Sequence, residues 1–233
     1  MNVFARSALA LSLSAALVAP AFAADASLKT EKDKASYMIG MTFGKQLQEI
    51  KDEVDLAMIQ KGLADTMGGG TTLLTEAEMQ QVSNDFRTKL QAKMQEKQKA
   101  AGAENQKKAD EFLAKNKTVA GVKTTESGMQ YLVIKEGAGP KPKANDQVKV
   151  HYTGTLINGT KFDSSVDRGQ PATFPLNGVI PGWTEALQLM NVGSKYKLFI
   201  PGKLAYGENG QPAGGIGPNE LLIFEVELLE ILN

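Results

Sequence analysis

Apolar residues recur at helical spacing in the first third of the chain. The first apolar stripe comprises Met38, Ile39, Phe43, Leu47 and Ile50. The second comprises Leu56, Ile59, Leu63 and Met67. Each stripe would form one face of an amphipathic helix. Asp55 stands where the second helix needs an N-cap, and the glycines at 68–70 would end that helix.

A third helical pattern starts at Thr75 and changes character midway. As far as Leu90 it carries an apolar stripe, but from Lys97 to Lys117 most residues are Lys, Glu, Gln or Ala. A helix over this whole stretch would be about 60 Å long at the usual rise per residue. Because its second half shows no apolar face, we expect a solvated spacer with a bend at Gly102.

Alternation typical of β-strands replaces the helical pattern in the last half of the chain. Val148, Val150 and Tyr152 alternate with polar neighbours, as in a half-buried strand. The dipeptide Asn158-Gly159 then predicts a hairpin turn. Further strands are predicted at 129–134, 195–200 and 221–229, and one short helix at 182–190.

The distribution of proline supports the same division of the chain. Positions 21–139 contain no proline, whereas eight prolines lie between Pro140 and Pro218. We predict an α+β protein, in which an antiparallel sheet wrapped on a short helix follows an all-α module and a long helix. The predicted parts are a signal peptide, a helical pairing domain, a connecting helix and a strand-rich domain, at residues 1–23, 24–74, 75–117 and 118–233.

The first 23 residues have the features of a secretory signal peptide. Arg6 is followed by an apolar run, and Ala21-Phe22-Ala23 forms a small-residue cleavage pattern. The alternative is an N-terminal membrane anchor, but the run is shorter than a membrane-spanning helix requires. We therefore expect export from the cytoplasm, with no membrane span in the mature chain.

Composition excludes several kinds of chemistry. There is no cysteine, which rules out disulfides, thiolate nucleophiles and cysteine–zinc sites. The single histidine, His151, alternates with Tyr152 and so faces the opposite side of its strand. Acidic and basic residues balance at 26 each, which disfavours a nucleic-acid partner. We expect no metal and no cofactor.

The glycine-rich stretch 207–217 lacks the residues of a phosphate-binding loop and predicts a flexible turn.

The N-terminal helical module is small and poor in aromatic residues, so its core would be thin. Association with a second copy would remedy this. Ser36, Gly40 and Gly44 lie four residues apart, which would let another helix approach closely. We expect a homodimer formed through these helices. The alternative is that the many methionines form an adaptable surface for unfolded chains.

Five strings in the C-terminal half carry a family resemblance. They are VHYTGTL (150–156), GTKFDSS (159–165), VIPGWTEALQLM (179–190), LAYGENG (204–210) and LIFEVELLEI (222–231). In order and spacing they resemble the FKBP family of peptidyl-prolyl cis/trans isomerases. The layout of the whole chain resembles the macrophage infectivity potentiator type of bacterial isomerase. This resemblance implies the periplasm as location, or the outer membrane or cell surface.

The resemblance also implies roles for individual residues. Trp183 would form the floor of a prolyl pocket, and the hydroxyl of Tyr206 and the backbone N–H of Ile180 would donate hydrogen bonds to the substrate. Asp163, oriented by Arg168, would accept a hydrogen bond. The pocket would be lined by Tyr152, Phe162, Phe174, Val179 and Phe224, with Ile216 closing one edge. From composition alone, these aromatic residues would be interpreted as ordinary core.

The expected activity is isomerisation of prolyl bonds in exported polypeptides, with macrolides as inhibitors and with chaperone activity as a further possibility. The alternative is a non-catalytic chaperone or adhesion module that binds polypeptides. A third hypothesis is a structural helical spacer with an inert cap.

Overall fold

The computed structural model describes residues 27–232, so the predicted signal peptide at 1–23 lies outside the described residues. Contacts divide the chain into two units, with the division after Thr75. Within the described range there are four α-helices. They are α1 (Glu31–Leu47), α2 (Leu56–Met67), α3 (Glu76–Asn116) and α4 (Pro181–Leu189). None of the helices within 27–232 is both long and apolar enough to cross a membrane.

The N-terminal unit contains the two predicted amphipathic helices. Thr30 and Asp33 form a reciprocal capping box at the start of α1. Asp55 caps α2 by accepting hydrogen bonds from the backbone N–H groups of residues 57 and 58, as the sequence predicted. A 3-10 helix, Gln48–Glu53, joins α1 to α2. Neither helix contains a buried residue, and most members of both apolar stripes are exposed in the single chain.

Helix α3 runs unbroken through Gly102, and its second half is not the solvated spacer that the sequence predicted. Ala109 is fully buried. The ring of Phe112 packs against that of Phe199, with 5.7 Å between centroids. Asn116 donates a 2.8 Å hydrogen bond to the side chain of Gln130. The few apolar positions of this half therefore pack against the strand-rich part of the same unit.

The strand-rich part forms one antiparallel sheet, which confirms the predicted α+β class. Its strands are β1 (Val122–Thr124), β2 (Gln130–Lys135), β3 (Gln147–Leu156), β4 (Lys161–Ser164), β5 (Ala172–Pro175), β6 (Lys195–Ile200) and β7 (Leu222–Leu232). The order is β1-β2-β6-β7-β3-β4, and β5 pairs with the edge of β3 that β4 also uses.

The core lies between the sheet and α4. Val148, Val150 and Tyr152 of β3 point inward, while the intervening residues are partly exposed, as the alternation predicted. From α4, Trp183, Ala186 and Leu187 pack against them. This inward face of the sheet carries most of the apolar side chains that shape the site described next.

Candidate active site

A cavity of about 300 Å³ opens at the N-terminal end of α4. Its walls are predominantly aromatic. They are formed by Tyr152, Phe162, Asp163, Phe174, Gly178, Val179, Ile180, Trp183, Tyr206 and Phe224. The cavity therefore brings together, from β3, β4, β5, β7, α4 and two loops, nearly all the residues that the family resemblance implied.

Trp183 forms the base of this cavity because of how α4 begins. Ile180 adopts an extended conformation as N-cap, and Pro181 occupies the first helical position, where its missing N–H costs nothing. The indole then lies two residues into the helix and is only 4% exposed. Its buried Nε1 has no hydrogen-bond partner among the described residues. The apolar part of the floor is the face of the indole ring, whereas Nε1 is a buried donor.

Three aromatic rings stand nearly perpendicular to the indole and surround it. The centroid distances to Trp183 are 5.1 Å for Tyr152, 5.7 Å for Phe174 and 5.2 Å for Phe224. Edge-to-face geometry of this kind is favourable and fixes the rings against one another. Phe162 continues the wall, with its ring perpendicular to that of Phe224 at 5.5 Å. The result is a rigid cup of aromatic surface.

A hydrogen-bonded cluster forms the polar rim of the cup. The hydroxyl of Tyr152 donates to the carboxylate of Asp163, and the guanidinium of Arg168 forms an ion pair with the same carboxylate. Arg168 also donates to the Tyr152 hydroxyl at 3.0 Å and lies over the tyrosine ring. Arg168 does not line the cavity, but it binds two residues that do, Tyr152 and Asp163.

The charges of this cluster set the ionisation states around the cavity. Burial works against the charged form of Asp163, but hydrogen bonds from Tyr152 and Arg168 outweigh it and lower the pKa of that carboxyl. Burial, together with the hydrogen bond to Asp163, raises the pKa of Tyr152. The carboxylate is thus already neutralised by two donors, which makes it a poor general base.

Gly154 is a functional position that sequence reasoning missed. It pairs with Asp163 in the β3–β4 hairpin and faces the rings of the cup. A Cβ there would lie 2.6 Å from the ring of Phe162 and 2.8 Å from that of Phe224. The signal available in the sequence was a glycine inside an alternating strand, which often marks a close approach.

Tyr206 reaches the cavity from the loop between β6 and β7. It lies between two 3-10 turns, Gly202–Leu204 and Gly207–Asn209, and is 37% exposed. The glycine-rich stretch that follows is not the flexible turn that composition predicted. The backbone of Gln211 pairs with that of Ile216, and the Gln211 side chain accepts a hydrogen bond from Gly214.

Two sequence expectations concern residues that lie away from the cavity wall. Ile216, expected to close one edge, is 4% exposed and packs in the hydrophobic core, and it is not among the lining residues. His151 faces the other side of β3, as its alternation with Tyr152 predicted, and its Nδ1 lies 3.1 Å from the hydroxyl of Ser165.

An antiparallel sheet wrapped on one helix encloses an aromatic cup, and Asp163, the one carboxylate among the described residues that line it, is already hydrogen-bonded. This is the architecture of a non-covalent peptidyl-prolyl isomerase. The chain belongs to the FKBP-type peptidyl-prolyl cis-trans isomerase family. Residues 139–229 match that family, and residues 32–133 match the domain found amino-terminal to FKBP-type isomerases.

Similar proteins come from several bacteria. The FKBP-type peptidyl-prolyl cis-trans isomerase FkpA of Aeromonas hydrophila is 51% identical over 91% of this chain and 81% of its own length. The outer membrane protein MIP of Legionella longbeachae is 45% identical, covering 88% of each chain. The crystal structure of FkpA from Escherichia coli has a TM-score of 0.72 and 37% identity, over 88% of this chain and 98% of that one.

Proposed function

We propose that the aromatic cup around Trp183 binds a prolyl residue and catalyses rotation about the bond that precedes it. The observation that carries this proposal is the set of three rings perpendicular to the indole, which leaves an apolar floor of the right kind for a pyrrolidine ring. Substrate binding is assigned to Phe162, Phe174, Val179 and Phe224 as further walls of the cup.

Rotation about a prolyl bond needs no proton transfer and breaks no covalent bond. Its barrier is roughly 18–20 kcal/mol, because the planar amide is stabilised by resonance. Twisting the bond removes that resonance and lowers the negative charge on the carbonyl oxygen. A dry, apolar cup therefore disfavours the polar planar form relative to the twisted one. Each tenfold gain in rate requires about 1.4 kcal/mol of such preference.

Polar groups at the rim hold the substrate while its bond rotates. The hydroxyl of Tyr206 and the backbone N–H of Ile180 are assigned as donors to substrate carbonyl groups. The cluster of Asp163, Arg168 and Tyr152 is assigned to keep the tyrosine ring in place and to offer an acceptor. An isomerisation assay on a short proline-containing peptide tests the site as a whole. Saturable turnover that a macrolide inhibits competitively supports it, and absence of turnover contradicts it.

The N-terminal unit is proposed to pair two copies of the chain. The supporting observation is its exposed apolar surface: Tyr37, Ile39 and Phe43 of α1 are each more than half exposed, and Leu56 of α2 is 66% exposed. Large contiguous apolar patches are rare on the surface of monomeric proteins and mark interaction sites. The division proposed is a pairing domain at 24–74, a connecting helix at 75–117 and an isomerase domain at 118–233. Deletion of residues 24–70 should yield a monomer in analytical ultracentrifugation.

Two copies of the chain would place two isomerase sites in one particle and raise their effective concentration for a long client. We assign the protein to folding of exported polypeptides, in the periplasm or at the outer membrane, after removal of residues 1–23. A relative that is named as an outer membrane protein supports this assignment. Amino-terminal sequencing of the exported protein tests the cleavage position, and cell fractionation tests the location.

A second candidate function is polypeptide binding without turnover. The exposed apolar faces of α1 and α2 favour it, because they would also suit an unfolded chain. The two functions separate experimentally. Suppression of client aggregation that survives in a fragment of residues 24–117 would assign chaperone action to the helices, whereas peptide isomerisation should require residues 118–233.

A further inference from the structure

Helix α3 is hydrogen-bonded to the loop that follows Tyr206. The side-chain amide of Asn105 donates to the backbone carbonyl of Pro218 at 2.9 Å. About two turns earlier on the helix, the amide of Gln98 donates to the carbonyl of Glu208 at 3.1 Å. The two bonds join the helix to both ends of the segment 208–218, across more than a hundred positions of sequence.

Gly102 brings the helix close enough for these bonds to form. It is buried, and a Cβ at this position would lie 3.2 Å from the amide nitrogen of Asn219 and 3.4 Å from the Cβ of Pro218. A glycine inside a helix costs up to about 1 kcal/mol relative to alanine. Here the absence of a side chain lets the backbone of the helix pack directly against the loop.

Asn219 links the helix to the segment that carries Tyr206. Its side chain is placed to donate to the carbonyl of Gly102, at 3.4 Å, and its backbone N–H donates to the carbonyl of Gly207 at 2.8 Å. Asn219 is the one non-glycine residue of the described range with a positive φ, 54°. This conformation is uncommon outside glycine and is held by the surrounding contacts.

The two faces of the segment 206–209 therefore meet different parts of the molecule. Tyr206 contributes to the wall of the prolyl cavity. Glu208 and Asn209 line a groove of which α3 forms the other side. Tyr206 itself is more than one third exposed, so the position of its hydroxyl depends on the backbone that carries it.

We propose that helix α3, through Asn105 and Gln98, positions the hydroxyl of Tyr206 for its hydrogen bond to the substrate. The inference rests on the substrate-binding role assigned to Tyr206 above. Asn105 and Gln98 are positioning residues, because they act through the loop and do not touch the substrate. Small displacements of a donor have large effects on rate, so a helix that fixes the loop contributes directly to turnover.

A double-mutant cycle in the full chain tests this coupling. We expect Asn105→Ala to lower kcat/KM for a short proline-containing peptide about three- to tenfold, the range that loss of one hydrogen bond implies. Gln98→Ala, at an exposed position where misfolding is not a concern, should act in the same direction with a smaller effect. In the Tyr206→Phe background, which lacks the hydroxyl, Asn105→Ala should cause no further loss.

The same helix supplies a matched control. Asn116 also donates a side-chain hydrogen bond to the sheet, but its acceptor is Gln130 and not the Tyr206 loop. Asn116→Ala should leave kcat/KM unchanged even if it lowers the melting temperature as much as Asn105→Ala does. Rates are measured well below the melting temperature of every variant, so that loss of folded protein does not enter the comparison.

The outcomes are distinct. Unchanged rates in both Asn105→Ala and Gln98→Ala would overturn the inference. So would an equal loss from Asn105→Ala with and without the Tyr206 hydroxyl, because the helix would then act by another route. An unchanged rate in the Tyr206→Phe single variant would contradict the role proposed for Tyr206. That outcome differs from failure of the coupling between helix and loop, which the Asn105 and Gln98 variants test.

Discussion

The hydroxyl of Tyr152 donates a hydrogen bond to the carboxylate of Asp163, across the β3–β4 hairpin. The ring of the same tyrosine stands against the indole of Trp183. The polar rim and the apolar floor of the cavity thus share one side chain. A change in the carboxylate should therefore reach the floor through the tyrosine ring.

Removal of the carboxylate should impair catalysis. In Asp163→Ala the partly buried Tyr152 hydroxyl loses its acceptor, and a hydrogen bond to a charged group contributes about 1.5–3 kcal/mol. We expect kcat/KM to fall by about tenfold or more in a peptide isomerisation assay. Asp167→Ala is the matched control, since Asp167 pairs with Lys161 at the surface and should leave the rate unaltered. Equal losses in both variants would contradict the role of Asp163.

The rate should depend little on pH in the neutral range. The pKa of Asp163 is lowered from 3.8, and the pKa of Tyr152 is raised from 10.0, so neither group changes its charge between about pH 5 and pH 9. Stability that comes from the ionised Asp163 is present above its unfolded pKa and is lost as the pH falls through the lowered folded value. A pH profile of kcat/KM, measured with a peptide that has no group titrating in this range, checks this expectation. A bell-shaped profile within that range would indicate acid–base catalysis instead.

Replacement of the Trp183 indole should affect ligand binding and turnover more than folding. Trp183→Leu removes the floor of the cup, and we expect loss of measurable macrolide binding and at least a tenfold lower kcat/KM. Phe199→Leu serves as control, because Phe199 is as deeply buried as Trp183 but packs against α3 on the other side of the sheet. Both should lose about 1–3 kcal/mol of unfolding free energy. Calorimetric titration with a macrolide, together with thermal unfolding, separates the two effects.

A single methyl group at Gly154 should distort the cup. Its Cβ would overlap the rings of Phe162 and Phe224, and at least one ring would have to move. We expect Gly154→Ala to lower both kcat/KM and stability, the latter by about 1–3 kcal/mol. Gly62→Ala is the control, as a Cβ there meets no described atom within 4 Å beyond its own stretch of helix. A fully active Gly154→Ala would show that the rings are not held where the structure has them.

The small residues of α1 test the proposed pairing. Apart from the neighbouring residues and backbone of its own helix, no atom of residues 27–232 lies within 4 Å of a Cβ built at Gly40, so a larger side chain should not disturb the fold of one chain. If a second copy packs there, Gly40→Leu should weaken association at least tenfold in sedimentation experiments, with helix content preserved. Ala100→Leu, an exposed helical position in the other unit, should leave association unaltered. Unchanged association of Gly40→Leu would place the contact elsewhere.

Periodicity along the chain was enough to predict the longer elements, but not the short strands β1 and β5. Alternation over Val148, Val150 and Tyr152 predicted β3 and its inward face, and Asp55 predicted the start of α2, because both signals are local. The five strings of the family resemblance also predicted most of the cavity-lining residues. In these cases the sequence indicates which side of an element is buried, and the rest of the fold must cover that side.

Tertiary structure alone decided what covers each face. Gly102 looked like a bend in a solvated helix, yet it is the point where α3 meets the loop after Tyr206. Ile216 was expected at the cavity edge and lies in the core. The glycine at 154 was compatible with a close approach, but the sequence did not indicate which rings approach it. The physical reason is common to all three. Hydrophobic spacing encodes the burial of a residue but not its partner, and each of these partners comes from a distant part of the chain.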